Sequence, residues 1–392
     1  MDSGRRQGRG STISALLAGA LLAIGPGCAS DVILVPQLPP PALVAGNAGT
    51  CVLLKTGTVR CWGAAVFSVP RTPPFAIDST VRFTSITAGS NFACGLTSTG
   101  AAYCWGWNSV GQLGNGTTTS STTPVAVSGG HSFTAISAGE FHVCASTSAG
   151  NAFCWGGNTF GQFGDGTTTS SLAPTPAASG LPLSAISAGV DHTCGVSGGR
   201  AYCWGGNVES QLGDGTTTNR SAPTRVSISA AIGSIGAGDR YTCALTTDGA
   251  AICWGGSEGG RLGNGFRAGV VGPVSVAGNR VFAQIVTASS HTCGLVATGA
   301  AWCWGSNAFG QLGDGTAGSV APTPVAVSGG LSFVAIAAGS YLYSDETHNE
   351  GTSGHTCGIT ANGDVYCWGD NLIGQLGAST PAQSSLPRKV SW

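Results

Sequence analysis

The sequence predicts an all-β chain folded as a seven-bladed β-propeller, and three observations carry that prediction. First, the tripeptide Cys-Trp-Gly occurs seven times, with tryptophans at Trp62, Trp105, Trp155, Trp204, Trp254, Trp304 and Trp368. The spacings between them are 43, 50, 49, 50, 50 and 64 residues, and a period of that size marks an array of supersecondary units. Second, each copy holds four short strand-like runs and no helical period. In the fifth copy these are Tyr241 to Leu245, Ala250 to Trp254, Val274 to Val276 and Val281 to Ile285. Four short strands per unit is the pattern of a propeller blade. Third, 65 glycines supply the positive φ that such closely spaced turns demand.

Composition narrows the function classes. With 42% hydrophobic residues the chain buries too much to be disordered. A formal net charge of -1 leaves no basic field for a phosphate backbone, so no nucleic-acid partner is expected. Beyond the first 30 residues no apolar run is long enough for a membrane helix. The length prior of two or three domains gives way to one ring, because seven blades close on themselves.

Residues 1–28 read as an export signal. Arg5, Arg6 and Arg9 precede the apolar stretch Ile13 to Ile24, which is signal-peptide length. Gly25-Pro26-Gly27-Cys28 follows, and a cysteine just after the apolar region resembles a bacterial lipoprotein signal, whose cysteine becomes the lipidated first residue. Ordinary cleavage nearby and release is the alternative. Residues 29–41, with Pro36, Pro39, Pro40 and Pro41, read as an extended tether. The propeller occupies 42–392. The last copy ends at its Pro-Val-type strand, and Leu43-Val44-Ala45-Gly46 precedes the first. The N-terminal strand is therefore expected to complete the last blade, closing the ring and hiding sheet edges.

Fourteen of the fifteen cysteines fall into pairs: Cys51 and Cys61, Cys94 and Cys104, Cys144 and Cys154, Cys194 and Cys203, Cys243 and Cys253, Cys293 and Cys303, Cys357 and Cys367. In the six pairs ten residues apart, a three-residue hairpin loop ends in glycine. Counting outward from it places the cysteines opposite each other. The Cys194 and Cys203 pair is one residue closer, and there the loop shrinks to Gly198-Gly199, which restores the opposition. Opposed antiparallel residues approach disulfide distance, so seven cross-strand disulfides are expected, with buried thiols as the alternative. The spacing is not a zinc clamp.

The frame of Ala-Gly, His-Thr-Cys, an aromatic residue before Cys-Trp-Gly, then Gly-Gln-Leu-Gly-Asp-Gly resembles the repeat of the regulator of chromosome condensation family. Trp304-Gly305-Ser306-Asn307-Ala308-Phe309-Gly310-Gln311-Leu312-Gly313-Asp314-Gly315 carries the likeness best. The resemblance covers residues 42 to 392 and implies a seven-bladed propeller; it does not fix function. The family includes a nuclear guanine-nucleotide exchange factor acting on chromatin, interaction modules of larger proteins, and a secreted inhibitor of β-lactamases. An export signal and paired cysteines fit an extracellular binding role better than a nuclear one.

Candidate site residues are few. His142, His192, His291 and His355 share one repeat position with Phe92, Tyr241 and Gly49, and aromatic interchange argues for packing with a hydrogen bond, not metal binding. Asp165, Asp214, Asp314, Asn115 and Asn264 precede glycine singly, so they read as turn residues and not as a calcium cluster. No metal and no cofactor are expected. The last copy carries an insertion, Ser340 to Gly354, with Tyr341, Tyr343, Asp345, Glu346, His348 and Glu350 in a chain poor in charge. A polar, aromatic-bearing loop on a rigid scaffold is a common binding device. Trp107, off-pattern after Cys104-Trp105-Gly106, is a second contact candidate. The first copy lacks Gly-Gln-Leu-Gly and carries Arg71-Thr72-Pro73-Pro74-Phe75 instead.

The sequence thus points to an exported, non-enzymatic, monomeric scaffold binding a protein or cell-envelope component, periplasmic, outer-membrane-anchored or extracellular. Membrane attachment would come only through Cys28. The alternatives are an exchange-factor-like regulator of a small GTPase and an envelope enzyme using acids at the channel mouth.

Overall fold

The computed structural model describes residues 42–391 apart from 47–48, 65–70, 179, 268, 345–349 and 380. The export segment 1–28, Cys28 and the tether 29–41 lie outside the described residues. Seven four-stranded antiparallel sheets follow one another, each a meander of consecutive strands. They span residues 42–76, 85–126, 135–177, 185–225, 232–275, 284–326 and 333–389, hereafter blades 1 to 7. The innermost strands touch in cyclic order, and blade 7 meets blade 1. The seven-bladed propeller read from the repeats is the observed fold.

One detail of closure differs. Ala42–Ala45 pairs with Gly49–Leu53 of its own blade 1, and blade 7 takes its inner strand from Phe333–Ser344. The N-terminal strand therefore does not complete the last blade. The reason lies in the phase of the repeat. The Ala-Gly strand precedes the His/Cys strand of the same blade through a short turn, in which the Gly46 amide donates to the Gly49 carbonyl at 2.9 Å. With seven copies phased this way, no strand is left to lend. The ring closes by packing: Leu43, Val52 and Trp62 of blade 1 share a core with Ala337, Ile359 and Val365 of blade 7.

The tryptophans hold that ring. All seven are fully buried. Each packs into the core of the preceding blade, as Trp155 does among Phe92, Leu96 and Leu113. In six of them the indole donates to a carbonyl there, as Trp155 Nε1 does to Gln112 O at 3.0 Å, Trp204 to Gln162 O at 2.8 Å and Trp62 to Gln375 O at 2.8 Å; Trp105 Nε1, facing blade 1 with no Gly-Gln-Leu-Gly loop, is buried without a partner. In every blade the third strand slips register against the outer strand at the Trp position. Such a bulge re-aims a side chain, here out of its own sheet and into the next.

The cysteine register is as counted. Each pair is directly opposed on the second and third strands, bonded, with Cα atoms 4.1 Å apart in Cys51–Cys61. The exceptional pair obeys the same rule: Ser197 pairs with Arg200 across Gly198 and Gly199, both at positive φ. All seven disulfides are present. Bonds of this kind persist in oxidising compartments.

Around the channel the inner strands approach so closely that a side chain has no room. A methyl at Gly139 would lie 2.2 Å from Gly189 O, and one at Gly339 would lie 2.2 Å from Gly46 O. This contact explains why Ala-Gly recurs. Hydroxyls satisfy the inner edges: the Ala138 amide donates to Thr87 Oγ1, Ala188 to Ser137 Oγ and Ala237 to Ser187 Oγ, all near 3 Å.

Candidate functional site

Chain direction sorts the loops onto two faces. The inner strand runs to one face, the second returns, and the third runs back to it. The turn after Ala-Gly and the long Gly-Gln-Leu-Gly loop therefore share one face, the channel-mouth face. The short hairpins and the links between blades lie on the other.

Exposed apolar side chains concentrate on the channel-mouth face. Trp107, Phe160, Val208, Phe266 and Leu372 stand in its long loops, and Phe141 in a turn after Ala-Gly. Trp107 is 45% and Val208 61% exposed. Val281 and Val334 belong to the opposite face. The channel opens there as a cavity of about 120 Å³ lined by the Ala-Gly pairs together with Glu140, Val190, Asp239, Ser289 and Ser340.

Three consecutive blades place acids at this mouth. Burial, with Asp191 and Asp239 nearby, pushes the Glu140 carboxyl up to about 7. Burial and Asp239 raise Asp191 against the pull of Arg240. Burial raises Asp239 as well, with Glu258 and Glu209 adding to it and Arg261 and Arg240 opposing. Arg261 is itself buried and committed, donating to Gly256 O at 2.8 Å and Ser289 O at 2.7 Å.

Behind the mouth stand the repeat histidines. His142 Nε2 lies 2.9 Å from Thr193 Oγ1, and that hydroxyl donates to Gln162 O at 2.8 Å. With its proton spent there, the hydroxyl accepts from His142 Nε2–H. Burial holds His142 neutral, its pKa lowered to about 3, so Nδ1 carries a bare lone pair. His192, Thr242 and Gln211 repeat the relay, as do His291, Thr356 and Gln311. The Nδ1 atoms of His142, His192, His291 and His355 are buried with no hydrogen-bond partner. The histidines are thus packed, hydrogen-bonded groups at the blade interfaces. Among the described residues no group of three or more His, Cys, Asp or Glu is arranged to hold a metal ion.

The remaining sequence candidates separate. Asp165, Asp214 and Asp314 each hold a turn, as in the Thr216 amide donating to Asp214 Oδ1 at 2.9 Å. Tyr341, Tyr343 and Glu350 lie on strands, because Ser340 to Ser344 pairs with Glu350 to Gly354. The insertion is therefore a continuation of the two inner strands of blade 7, not the loop expected. Its sequence allows this: Tyr-Leu-Tyr favours a strand, and the register set by Cys357 simply runs on. Asp345, Glu346 and His348 lie outside the described residues. The hairpin is anchored at its base by Asp370, which stands where most copies have glycine or serine. Buried Asp370 accepts from Ser353 Oγ and from Gln375 Nε2. Sequence reading missed Glu140, Asp191, Asp239, Phe141 and Phe160. The signal available was position, since all three acids fall within two residues after Ala-Gly in copies 3, 4 and 5.

Comparison with known proteins agrees with this architecture. The sequence matches the RCC1-like domain over residues 31–344 and the regulator of chromosome condensation (RCC1) repeat over residues 352–375. Most of the chain is covered, and the protein belongs to the RCC1-like propeller family. No curated protein matches it in sequence. Among solved structures it is similar to human WBSCR16, at 21% identity over 82% of this chain and 86% of that one, with a TM-score of 0.71. It is similar to Prp20p of Saccharomyces cerevisiae, a structure described with its binding to Gsp1p and histones, at 20% identity over 77% and 82%, TM-score 0.68. It is also similar to the CRINKLY WD40 ectodomain of the Arabidopsis thaliana receptor kinase ACR4, at 21% identity over 88% and 98%, TM-score 0.53. At these identities the likeness is one of fold.

Proposed function

We propose that this protein is an exported, non-enzymatic scaffold whose channel-mouth face docks a protein or cell-envelope partner. The observation that carries this reading is the asymmetry of exposed apolar surface between the two faces. Interface cores are rich in aromatic residues, and isolated exposed leucines or valines need no explanation, but a face bearing Trp107, Phe141 and Phe160 does. The seven disulfides favour an oxidising compartment and with it the export signal read at 1–28. Lipidation of Cys28 would tether the ring to a membrane surface, and Tyr341, Tyr343, Asp345, Glu346, His348 and Glu350 would add contacts from the blade 7 hairpin. The chain works as a monomer in this reading.

The test is capture of partners from cell-envelope extract by the wild-type chain and by a Trp107→Ser/Phe160→Ser variant. Loss of a specific partner in the variant supports the docking face. Equal capture by the wild type and by Val281→Ser/Val334→Ser, with capture unaffected by the first variant, would sink it.

A second reading has one observation in its favour. A carboxyl poised near 7 beside two other acids is the kind of perturbed group that general acid–base chemistry uses. An envelope enzyme would show turnover on a substrate panel that disappears in Glu140→Gln. The exchange-factor reading rests on fold likeness to Prp20p and requires a reducing compartment that seven disulfides disfavour. Nucleotide release from a small GTPase would revive it.

A further inference from the structure

We infer that the hairpin face of the ring, opposite the channel mouth, is a basic surface that lies against anionic phospholipid headgroups and so holds the mouth face away from the membrane. This goes beyond the docking reading, and its test does not depend on lipidation of Cys28.

Charge is sorted between the two faces. Lys55 and Arg200 stand in short hairpins, Arg82 and Arg280 in links between blades, and Arg225 and Lys389 at the ends of outer strands, all on the hairpin face. Lys55, Arg82, Arg200 and Arg225 are exposed, and Arg280 lies 3.7 Å over the Trp302 ring. Among the described residues only Asp78, Asp248 and Asp364 are acids on this face, and Asp364 is paired with Lys389 at 2.9 Å. The remaining five cations are thus set against two acids. The other described acids stand in the turns after Ala-Gly, in or beside the long loops, or in the blade 7 hairpin, all on the mouth face. A chain of net charge -1 therefore carries a positive face and a negative one.

The cations are spread around the ring, over blades 1, 4 and 7 and the links before blades 2 and 6. A spread rim of charge meets a plane, whereas a nucleic-acid strand or duplex would call for a stripe. Exposed Val281, beside Arg280, and exposed Val334 add apolar contact on the same face.

A second observation is independent of charge. The inner strand of blade 1 runs toward the mouth, so its first residue, Ala42, lies on the hairpin face. Residues 29–41 therefore join the ring on its basic side, and fully extended they span at most about 45 Å. A membrane anchor at Cys28 would draw this face toward the bilayer. Anionic headgroups attract basic side chains within about a Debye length, so tether and charge act in the same direction.

The test uses the full chain carrying Cys28→Ser, floated with vesicles of phosphatidylcholine alone or mixed equally with phosphatidylglycerol, at low and high salt. Neutral vesicles measure what the apolar stretch Ile13 to Ile24 contributes, and Arg5, Arg6 and Arg9 are common to every variant. This chain is expected to partition at least about tenfold more strongly onto the anionic vesicles, and to lose that gain at high salt. Lys55→Glu/Arg200→Glu/Arg225→Glu should lose most of the gain, and Lys55→Arg/Arg200→Lys/Arg225→Lys should keep it. All three side chains are exposed, so the melting temperature should not move. Orientation is read by phenylglyoxal modification and mass spectrometry. Anionic vesicles should shield Arg200 and Arg225 and leave exposed Arg240 and Arg267, on the mouth face, reactive. Equal binding to the two vesicles, full binding by the charge-reversed variant, or shielding of Arg240 and Arg267 instead would overturn the inference. So would a DNA duplex that displaces the chain at the same phosphate concentration as the vesicles, because the face would then take any polyanion. If Trp107→Ser/Phe160→Ser alone abolishes vesicle binding, the mouth face meets the membrane and the inference falls. If only the charge-reversed variant loses the vesicles while partner capture ignores Trp107 and Phe160, the docking-face reading falls and the basic face stands.

Discussion

The Arg261 guanidinium lies 5.1 Å over the ring of Tyr241. Blade 5 is the one blade where arginine replaces the glutamine of Gly-Gln-Leu-Gly, and the one where tyrosine replaces the histidine. In the other blades with this loop the glutamine Oε1 accepts from the amide two residues before it, as from Val110 to Gln112 and Phe160 to Gln162. Arginine has no acceptor to offer. It turns inward, donates to Gly256 O and Ser289 O, and stacks on the ring that the companion change provides. The Tyr241 hydroxyl reaches across to His291 O at 2.8 Å, and burial pushes its pKa up to about 12.

Arg261→Gln and Tyr241→His are therefore expected to be non-additive. Each single change removes the stack and leaves its partner misfitted, whereas the double change rebuilds the pattern of the other blades. A coupling of about 0.5–2 kcal/mol is expected from the cation–π contact and the shared network. Urea unfolding of the two singles and the double measures it, and strict additivity would disprove the pairing.

The ring of glycines at the channel makes a sharper prediction. A Gly139→Ala methyl would meet the Gly189 carbonyl, which is backbone and cannot turn aside. The blades must part, and a loss of more than about 2 kcal/mol is expected. Gly272 is the control, because no atom lies within 4 Å of a methyl placed there. Gly272→Ala should be neutral or stabilise by about 0.4–1 kcal/mol through the unfolded chain. Similar melting temperatures for the two variants would mean that the inter-blade approach is not tight.

How much of this was legible in the sequence depends on the distance over which a pattern acts. The blade count, the hairpin register and the Cys194–Cys203 exception are local, and spacing alone reported them. The phase of closure is not local. Leu43 to Gly46 has the same composition whether it pairs with Gly49–Leu53 or with a strand three hundred residues away, and only the short turn at Gly46 decides. The acidic mouth was missed for a related reason. Glu140, Asp191 and Asp239 are about fifty residues apart in sequence, and only the ring brings them together. Asp370 and Ser353 show the reverse case, two off-pattern residues that explain each other once the hairpin is seen.

The pH dependence of stability carries two opposite signatures. His142, His192 and His291 have folded pKa values near 3, below the ordinary 6.5, because burial disfavours the charged ring. Between those values the unfolded chain binds the extra protons, so this stability is present above pH 6.5 and is lost as pH falls toward 3. Each ring contributes a slope of up to about 1.4 kcal/mol per pH unit in that window. His142→Phe, which copies Phe92 of blade 2, should flatten the fall by one such step. Glu140 acts the other way. Its folded value near 7 exceeds the ordinary 4.5, so the folded state holds the extra proton and stability declines as pH rises through that window. Glu140→Gln should raise the melting temperature above pH 7 and leave it unchanged at pH 4. Parallel melting curves against pH for wild type and both variants would refute the assignment.

The disulfides give the last prediction, and it separates local from global stabilisation. Each bond closes a loop of about ten residues within one blade, so removing one is expected to cost about 2–3 kcal/mol. The loss should depend little on which blade is changed, because the loops are nearly equal in length. Blade interfaces rest instead on the tryptophans. Trp155→Ala removes a fully buried indole and its bond to Gln112 O, and is expected to cost about 3–5 kcal/mol. Mass spectrometry of the unreduced chain should first show two hydrogens missing per bond for all seven pairs. Cys144→Ala/Cys154→Ala and Trp155→Ala are then compared by native-state hydrogen exchange. Losing the disulfide should speed exchange in blade 3 alone, since its constraint is internal to that sheet. Losing the tryptophan should speed exchange in blades 2 and 3 together, because its side chain belongs to one and its pocket to the other. Identical exchange patterns for the two variants would show that the ring unfolds as a single unit and that the division of labour is wrong.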